Sequence, residues 1–510
     1  MNEPIKLAAS GGGHLDTPAT VAETWADAVR RHGPSRAVWT EDVVVTYAEL
    51  DAWSVHVAHR LHAAGVGERS PVVTALENSA RHVAVMIALS RLGAVLVPVD
   101  PTQTDGELAE LVARCRASHV VAPQDRCAAI HGAGVEAALL DADEIGARAE
   151  AAAPLPEIPE VELAGDDPWA IFYTSGSTSR PRGAVIPQRT FAITGRALAD
   201  AAGFTAGDVV LSVLPMHHLS VSVMSFAPAV VNGLPFALAR RFSRSRFFDV
   251  VRASGATVTT TVPTIVEMLL TRPPEPADRD HPLRLVVTHR RIEKFQRRFG
   301  VRVAALWGMT ETGGLGCVQR PGDDRADTVG PPYPPEAEVR LVDASGRDVE
   351  AGEVGELWFR HPAVMLGYLD EDPPPGGWIA SGDLFTRLDD GSYRYVGRTK
   401  NMIKRGGENI ALEEIERVLS EHPAVQEVVV VGVDDPIYVE EACAVVVWRD
   451  APRVEDLRRF CRERLAPWKE PRYIAAWPGH LPELANHKID RNAVKAGLRL
   501  ADADDRLAGG

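Results

Sequence analysis

Tyr173-Thr174-Ser175-Gly176-Ser177-Thr178-Ser179-Arg180-Pro181-Arg182-Gly183 is the stretch on which the reading of this chain turns. Its hydroxyls, small side chains and flexible glycines let backbone N–H groups wrap an anion, and Arg180 and Arg182 add positive charge. Such a composition suits a polyphosphate, and it also suits a polar surface turn. The Gly-x-x-x-x-Gly-Lys-Ser/Thr order of the P-loop is absent, so that class of nucleotide site is not indicated. The apolar run Ala170–Tyr173 precedes the loop and Ala184–Ile186 follows it, which places it at the end of a strand.

Outward from this loop, short β-branched runs alternate with longer helix-patterned segments, as in sheets with crossover helices. Strands are expected at Val72–Ala75, Ala94–Val97, Ala170–Tyr173, Val209–Val213, Leu285–Val287 and Val303–Leu306. Helices are expected at Thr20–Arg31, Tyr47–Ala64, Ser79–Leu92 and Ile265–Leu270, where apolar residues return every three or four positions. Prolines cluster at Pro154–Pro159, Pro331–Pro335 and Pro373–Pro375 and mark loops or subdomain edges. After the second cluster, Glu338–Val342, Gly355–Phe359 and Tyr393–Val396 read as antiparallel strands of a small β subdomain. From Thr399 a new unit reads as helix Leu412–Glu421, strands Val425–Val433 and Ala444–Trp448, helix Val454–Leu465 and strand Tyr473–Trp477.

The expected class is therefore α/β: a large N-terminal domain over 1–397 with parallel sheets and a β subdomain at about 331–397, then a small α+β domain over 398–510. At 510 residues the chain has room for several domains, and its net charge of −15 argues against nucleic acid as a partner. With 45% hydrophobic and 25% charged residues the composition is that of a globular protein rather than a disordered or fibrous one. The longest apolar stretch, Val83–Val99, is broken by Arg91 and falls short of a membrane span. The five cysteines show no Cys-x-x-Cys pair and are expected to be reduced and buried, and the first residues lack the pattern of a secretory signal. A cytoplasmic location, with no membrane partner, is the expectation.

Four further segments carry chemistry: Leu306-Trp307-Gly308-Met309-Thr310-Glu311-Thr312-Gly313; Ser381-Gly382-Asp383-Leu384; Gly397-Arg398-Thr399-Lys400; and Ile403-Lys404-Arg405-Gly406-Gly407-Glu408-Asn409-Ile410. Glu311 is a hard oxygen ligand suited to Mg²⁺ among phosphate oxygens. Trp307 offers a flat face for a purine, Asp383 can accept from two ribose hydroxyls, and Arg398 can reach ribose or phosphate. Together with the loop at Thr174, these segments resemble, in order, the motifs of the adenylate-forming superfamily of acyl-CoA synthetases, amino-acid adenylation domains and beetle luciferases.

That resemblance covers most of the chain, and it implies two half-reactions at one site. A carboxylate first attacks the α-phosphorus of ATP, pyrophosphate leaves, and a thiol then takes the acyl group. The phosphate loop would comprise Thr174, Ser175, Gly176, Ser177, Thr178 and Arg182, with Thr310 beside the metal ligand Glu311. The segment Leu481–Arg491 nominates Lys488 as the lysine that bridges carboxylate and phosphate. Lys400 takes the hinge position of a mobile C-terminal domain, and Lys404, Gly406 and Gly407 would line a pantetheine tunnel.

Leu214-Pro215-Met216-His217-His218-Leu219 resembles the family's Pro-x-x-His stretch, whose histidine, here His218, borders the acyl and thiol sites. On a strand the two histidines would face opposite ways, which disfavours a shared metal. No Asp lies between Leu211 and Ala229 to pair with a substrate ammonium, and Ile403–Glu416 is closer to acyl-CoA ligases than to amino-acid domains. Val262-Pro263-Thr264 with Gly313, Gly314 and Leu315 is expected to supply pocket wall. The chain departs from the family pattern at Ser179, Arg182 and His487, and at Val286–Lys294, where a small-residue turn against adenine is missing.

The reading is an ATP- and Mg²⁺-dependent acid–CoA ligase for a hydrophobic or aromatic carboxylic acid, with CoA as thiol co-substrate. The alternative is a stand-alone adenylating enzyme that passes a carboxylic or unusual oxyacid to an acyl-carrier-protein thiol, an amine or another nucleophile. A catalytically silent relative is the third, disfavoured by the retained charges Glu311, Asp383, Arg398 and Lys488.

Overall fold

The computed structural model describes residues 20–132, 135–148, 158–174, 181–323, 325, 327–405, 408–435, 439–465, 469–484 and 489–506. The chain divides into two compact units: Met1–Val339 with Trp358–Ile379 and Asp390–Tyr393, and Arg340–Leu357 with Ala380–Asp389 and Arg394–Gly510.

In the first unit, a seven-stranded sheet runs in the order Gly367–Tyr368, Arg182–Pro187, Pro168–Thr174, Val95–Pro98, Pro71–Thr74, His119–Ala122, Ala138–Asp141. A nine-stranded sheet runs Pro332–Tyr333, Gly316–Val318, Arg302–Gly308, Leu285–Thr288, Val258–Thr260, Val210–Ser212, Phe236–Leu238, Arg36–Trp39, Val44–Thr46. Both sheets are mixed rather than purely parallel. Their centres pair in parallel, as does the Ala138–Asp141 edge, and antiparallel pairs include Pro168–Thr174 against Arg182–Pro187, where a short connection returns the chain beside its own preceding strand. The central strands are valine-rich and buried on both faces, as sheets covered by helices require.

Local signals start the helices, both those the periodicity expects and Asp105–Arg114, which it did not single out. Thr20, Thr46 and Thr104 cap Val21–His32, Tyr47–Ala63 and Asp105–Arg114, each in a reciprocal box with the glutamate three residues on. The apolar stretch weighed as a span resolves into helix Ala80–Arg91, capped by Ser79, and strand Val95–Pro98. That helix is buried almost all round, which explains an apolar run without a clear stripe. No described helix is long and apolar enough to cross a membrane. Aromatic contacts run Trp25–Phe226–Phe191–Trp169 with ring centroids 6.3, 5.9 and 5.6 Å apart, tying the first helix to the strand that leads into the phosphate loop.

A four-stranded sheet runs Glu338–Val342, Val354–Arg360, Ile379–Arg387, Tyr393–Arg398. Its third strand carries Ser381-Gly382-Asp383. In the second unit, Val425–Asp435 and Tyr473–Ala476 flank Val439–Trp448, and Met402–Arg405 pairs with Glu408–Ala411. Helices Leu412–Ser420 and Val454–Arg462 bury Ile415, Leu419 and Leu457 against Val430, Ala444 and Ile474. All five cysteines are free thiols, four buried and Cys127 half-buried.

Candidate active site

The hairpin register Thr174↔Arg182 brackets the phosphate loop. Ser175, Gly176, Ser177 and Thr178 lie outside the described residues; Thr174 and Arg182 lie inside, and the Thr174 hydroxyl donates to the Arg182 carbonyl at 3.4 Å. Arg182 donates from Nε to Glu371 Oε1 at 2.9 Å, and its Nη2 donates to Glu371 Oε2. Its guanidinium lies 3.4 Å from the centroid of the Tyr368 ring. Upstream, Arg114 donates to the Pro181 carbonyl at 2.8 Å and braces the base of the loop.

Glu311 follows strand Arg302–Gly308 in a turn held from inside by Thr312. The Thr312 hydroxyl donates to the Leu315 carbonyl at 2.6 Å and accepts from Met309 N at 3.1 Å. Gly313 and Gly314 both take positive φ, 66° and 78°, which side-chain-bearing residues rarely adopt. Glu311 is 8% exposed. Its Oε1 accepts from the Tyr368 hydroxyl at 2.7 Å, and its backbone carbonyl accepts from Met365 N at 3.0 Å. Thr310, one residue earlier, is half-buried in the same turn. A single carboxylate with one oxygen held by a hydroxyl donor fits Mg²⁺, which takes one or two protein carboxylates and otherwise phosphate and water oxygens.

Trp307 is 5% exposed, and its ring meets Phe359 edge-on at 6.4 Å between centroids. A Cβ on Gly316 would approach its Cε3 within 2.8 Å, so protein covers most of the indole, including ring surface read from sequence as a purine platform. The shortened connection at Thr288–Lys294 leaves His289 and Arg290 exposed, with Arg290 donating to Glu267 of helix Pro263–Leu270 at 2.9 Å.

In the second unit Asp383 and Arg398 come together from adjacent strands, Arg398 Nε lying 2.8 Å from Asp383 Oδ1. The Asp383 carboxylate side chain is 5% exposed and the arginine 42%. Ser381 fixes the bend by accepting from Asp383 N at 3.0 Å. Lys400 sits in the 3₁₀ turn Thr399–Asn401 and Lys404 in strand Met402–Arg405. Gly406, Gly407 and Lys488 lie outside the described residues.

His217 and His218 are not on a strand. They occupy a turn before the short helix Leu219–Val221, with ring centroids 4.3 Å apart; the preceding strand already ends at Ser212, and the Pro215 carbonyl accepts from His218 N at 3.0 Å. Burial pushes His217 down to about 4, with repulsion from His218 in the same direction and attraction from Asp100 against it. Asp100 itself is held below the usual carboxylate range: burial works upward, but bonds from Thr102 and the two imidazoles outweigh it. Asp100 was missed in sequence because it arrives from the other sheet, just beyond strand Val95–Pro98.

Beyond His218 the helix passes through a π-turn, Ser222–Phe226, in which the Met224 carbonyl accepts from the Thr260 hydroxyl at 3.1 Å. A Cβ on Gly314 would lie 3.0 Å from Met224 Cγ and 3.4 Å from Leu219 Cδ2. Leu219 and Met224 thus form an apolar wall facing the Glu311 turn, and no periodicity in the sequence announces it.

The AMP-binding enzyme family model matches residues 25–369, and the model of its C-terminal domain matches 414–488. The chain belongs to the AMP-binding enzyme family. It is an adenylate-forming ligase and groups with acid–CoA ligases: it is 30% identical to the crotonobetaine/carnitine–CoA ligase of Salmonella paratyphi C over 88% of this chain and 93% of that protein. Among solved structures it resembles an anthranilate CoA ligase in complex with anthranoyl-AMP, with a TM-score of 0.85 at 22% identity, covering 95% of this chain and 98% of that one. It also resembles the o-succinylbenzoate coenzyme A synthetase of Bacillus subtilis in complex with ATP and magnesium, with a TM-score of 0.81 at 25% identity, over 92% and 99% of the two chains. Within this AMP-binding enzyme, the charged side chains Glu311 and Arg182 share one neighbour, Tyr368, which sequence reading had passed over.

Proposed function

We propose that this chain is an ATP-dependent acid–CoA ligase that adenylates a hydrophobic or aromatic carboxylic acid and transfers the acyl group to the thiol of CoA. The observation that carries the reading is the joining of Glu311, a carboxylate suited to Mg²⁺, to Arg182, a guanidinium suited to phosphate, through the Tyr368 side chain. The relatives support it, since their names describe acid–CoA ligases and one was solved with ATP and magnesium.

An oxygen of the already ionised acid attacks the α-phosphorus, the bond to pyrophosphate breaks, and no general base is required. When bound, Mg²⁺ would neutralise phosphate charge beside Glu311. Arg182, Thr174 and residues 175–178 would hold the phosphates, Thr310 would flank Glu311, and Asp383 with Arg398 would take the ribose. Lys488 would bridge carboxylate and phosphate. In the second step the thiol sulfur attacks the acyl carbonyl and AMP leaves. A turn of the C-terminal domain, 398–510, about Lys400 would exchange Lys488 for the pantetheine-lining Lys404, Gly406 and Gly407. Trp307 would meet the base through whatever edge it leaves uncovered.

The apolar wall of Leu219 and Met224, with His218 at its rim, supports an acid with an uncharged acyl part. Pyrophosphate release across a panel of aromatic, aliphatic and betaine acids, followed by mass detection of the CoA thioester, tests the reading. One acid is expected to stimulate release and to yield its thioester. An acyl-adenylate that forms but never reaches CoA would transfer the assignment to another nucleophile, and no stimulation by any acid would overturn it.

A further inference from the structure

We propose that Tyr368 is a positioning residue that holds Glu311 and Arg182 as two separate charges, one for the cation and one for the triphosphate; the inference rests on the ligase reading above. The side chain is bifunctional. Its hydroxyl donates to Glu311 Oε1 at 2.7 Å, leaving Oε2 outside that bond, while its ring carries the Arg182 guanidinium at 3.4 Å. Arg182 makes its ion pair with Glu371 and Glu311 meets the tyrosine hydroxyl, so the two groups do not pair with each other.

The backbone fixes this placement. The two-residue strand Gly367–Tyr368 pairs with Arg182–Pro187 in the register Tyr368↔Ala184. Leu366 N donates to the Val185 carbonyl at 2.8 Å and Leu369 N to the Gly183 carbonyl at 2.7 Å. Met365 N holds the Glu311 carbonyl at 3.0 Å, so one short segment grips both the metal-side turn and the phosphate hairpin. Further along the segment, Glu371 accepts from Arg182 Nε and Nη2 and keeps the guanidinium plane against the ring. The arginine at this position, where the chain departs from the family pattern, then has a physical reason: a planar guanidinium stacks flat on an aromatic face while its edge donates at two points to one carboxylate.

The test is calorimetric titration of ATP into the full-length enzyme, without acid substrate, with Mg²⁺ varied and with EDTA. Tyr368→Phe keeps the ring and loses the hydroxyl. It should raise the Mg²⁺ concentration for half-maximal ATP binding by about 10-fold, as loss of a partner behind a metal ligand does, and leave binding in EDTA within about 2-fold. Tyr368→Leu should add a loss of about 3- to 10-fold in EDTA, and Arg182→Lys should show that loss without the Mg²⁺ shift. A Tyr368→Phe enzyme with wild-type Mg²⁺ dependence would overturn the inference, as would a wild-type enzyme that binds no Mg·ATP. Should Tyr368→Leu fail to fold, Tyr368→Phe and Arg182→Lys still decide. A wild-type enzyme that binds Mg·ATP but releases no pyrophosphate with any acid retires the ligase reading and leaves the Tyr368 result to stand by itself.

Discussion

Asp383 with Arg398, and Glu311 with Arg182, are two acid–arginine combinations built in opposite ways. In the second unit Asp383 and Arg398 touch directly, 2.8 Å apart on adjacent strands. In the first unit Glu311 and Arg182 are separated by a tyrosine that serves both. A direct pair neutralises itself, and a ligand that uses it must replace one interaction with another of similar strength, so the net gain is small. Held by a neutral hydroxyl instead of a cation, Glu311 keeps its charge for a ligand, while Arg182 lies against the same ring with its Nε and Nη2 on Glu371. The first arrangement suits recognition of a neutral ribose; the second suits charge that develops on phosphate.

The sharpest way to break this comparison is to remove the acid from each partnership. Glu311→Gln should lower pyrophosphate release by about 10²- to 10³-fold, mostly in kcat, because its charge acts on the reacting phosphates. If its kinetics change no more than those of the Asp383 variant below, the contrast fails. Acid sensitivity comes next. His82 is fully enclosed, and burial pushes it down to about 4. Its unfolded counterpart titrates near the ordinary value, so the stabilisation is complete above about pH 6.5 and is lost as pH falls toward 4, roughly 2 kcal/mol by pH 5. The second unit instead carries exposed His480, raised by Glu427, whose contribution runs the other way. Segment-resolved hydrogen exchange at pH 7 and pH 5 should show opening in helix Ala80–Arg91 before the sheet around Val439–Trp448; the reverse order would contradict this.

Asp383→Asn should raise KM for ATP by about 10-fold with kcat within about 3-fold, since the half-exposed Arg398 can turn to water and the reacting phosphates are untouched. Steady-state kinetics at saturating acid measure it. The smallest effect belongs to Glu371→Gln. Its bridge to Arg182 is 47% and 37% exposed, so thermal stability should fall by less than about 1 kcal/mol, and a melting curve that drops by ten degrees would mean the pair is structural after all.

Much of this architecture was legible because its causes are local. Val72 and Val73 read as strand, and Tyr47 to Ala63 read as helix, since side-chain period and composition decide those elements. Glu311, Asp383 and Arg398 stood out because their flanking residues form recognisable runs. Tyr368 did not: its importance comes from a register with Ala184, set by sheet pairing between segments far apart in the chain. His218 and His217 were misplaced onto a strand because the apolar residues before them continue a β pattern past Ser212, where the strand already ends. Asp100 and Met224 were passed over for related reasons, one being delivered by a different sheet and the other by a π-turn with no compositional signature.

The edge position of Gly367–Tyr368 also bears on how the protein is made. Strand Arg182–Pro187 leaves the ribosome long before the two residues that cover its outer side, so during synthesis the seven-stranded sheet carries an open rim. A product that stops short of Gly367 keeps that rim bare, and an uncovered strand edge is a template for pairing with another chain. A chain that ends before Gly367 is therefore expected to offer the outer side of Arg182–Pro187 to its neighbours, which this short segment otherwise covers.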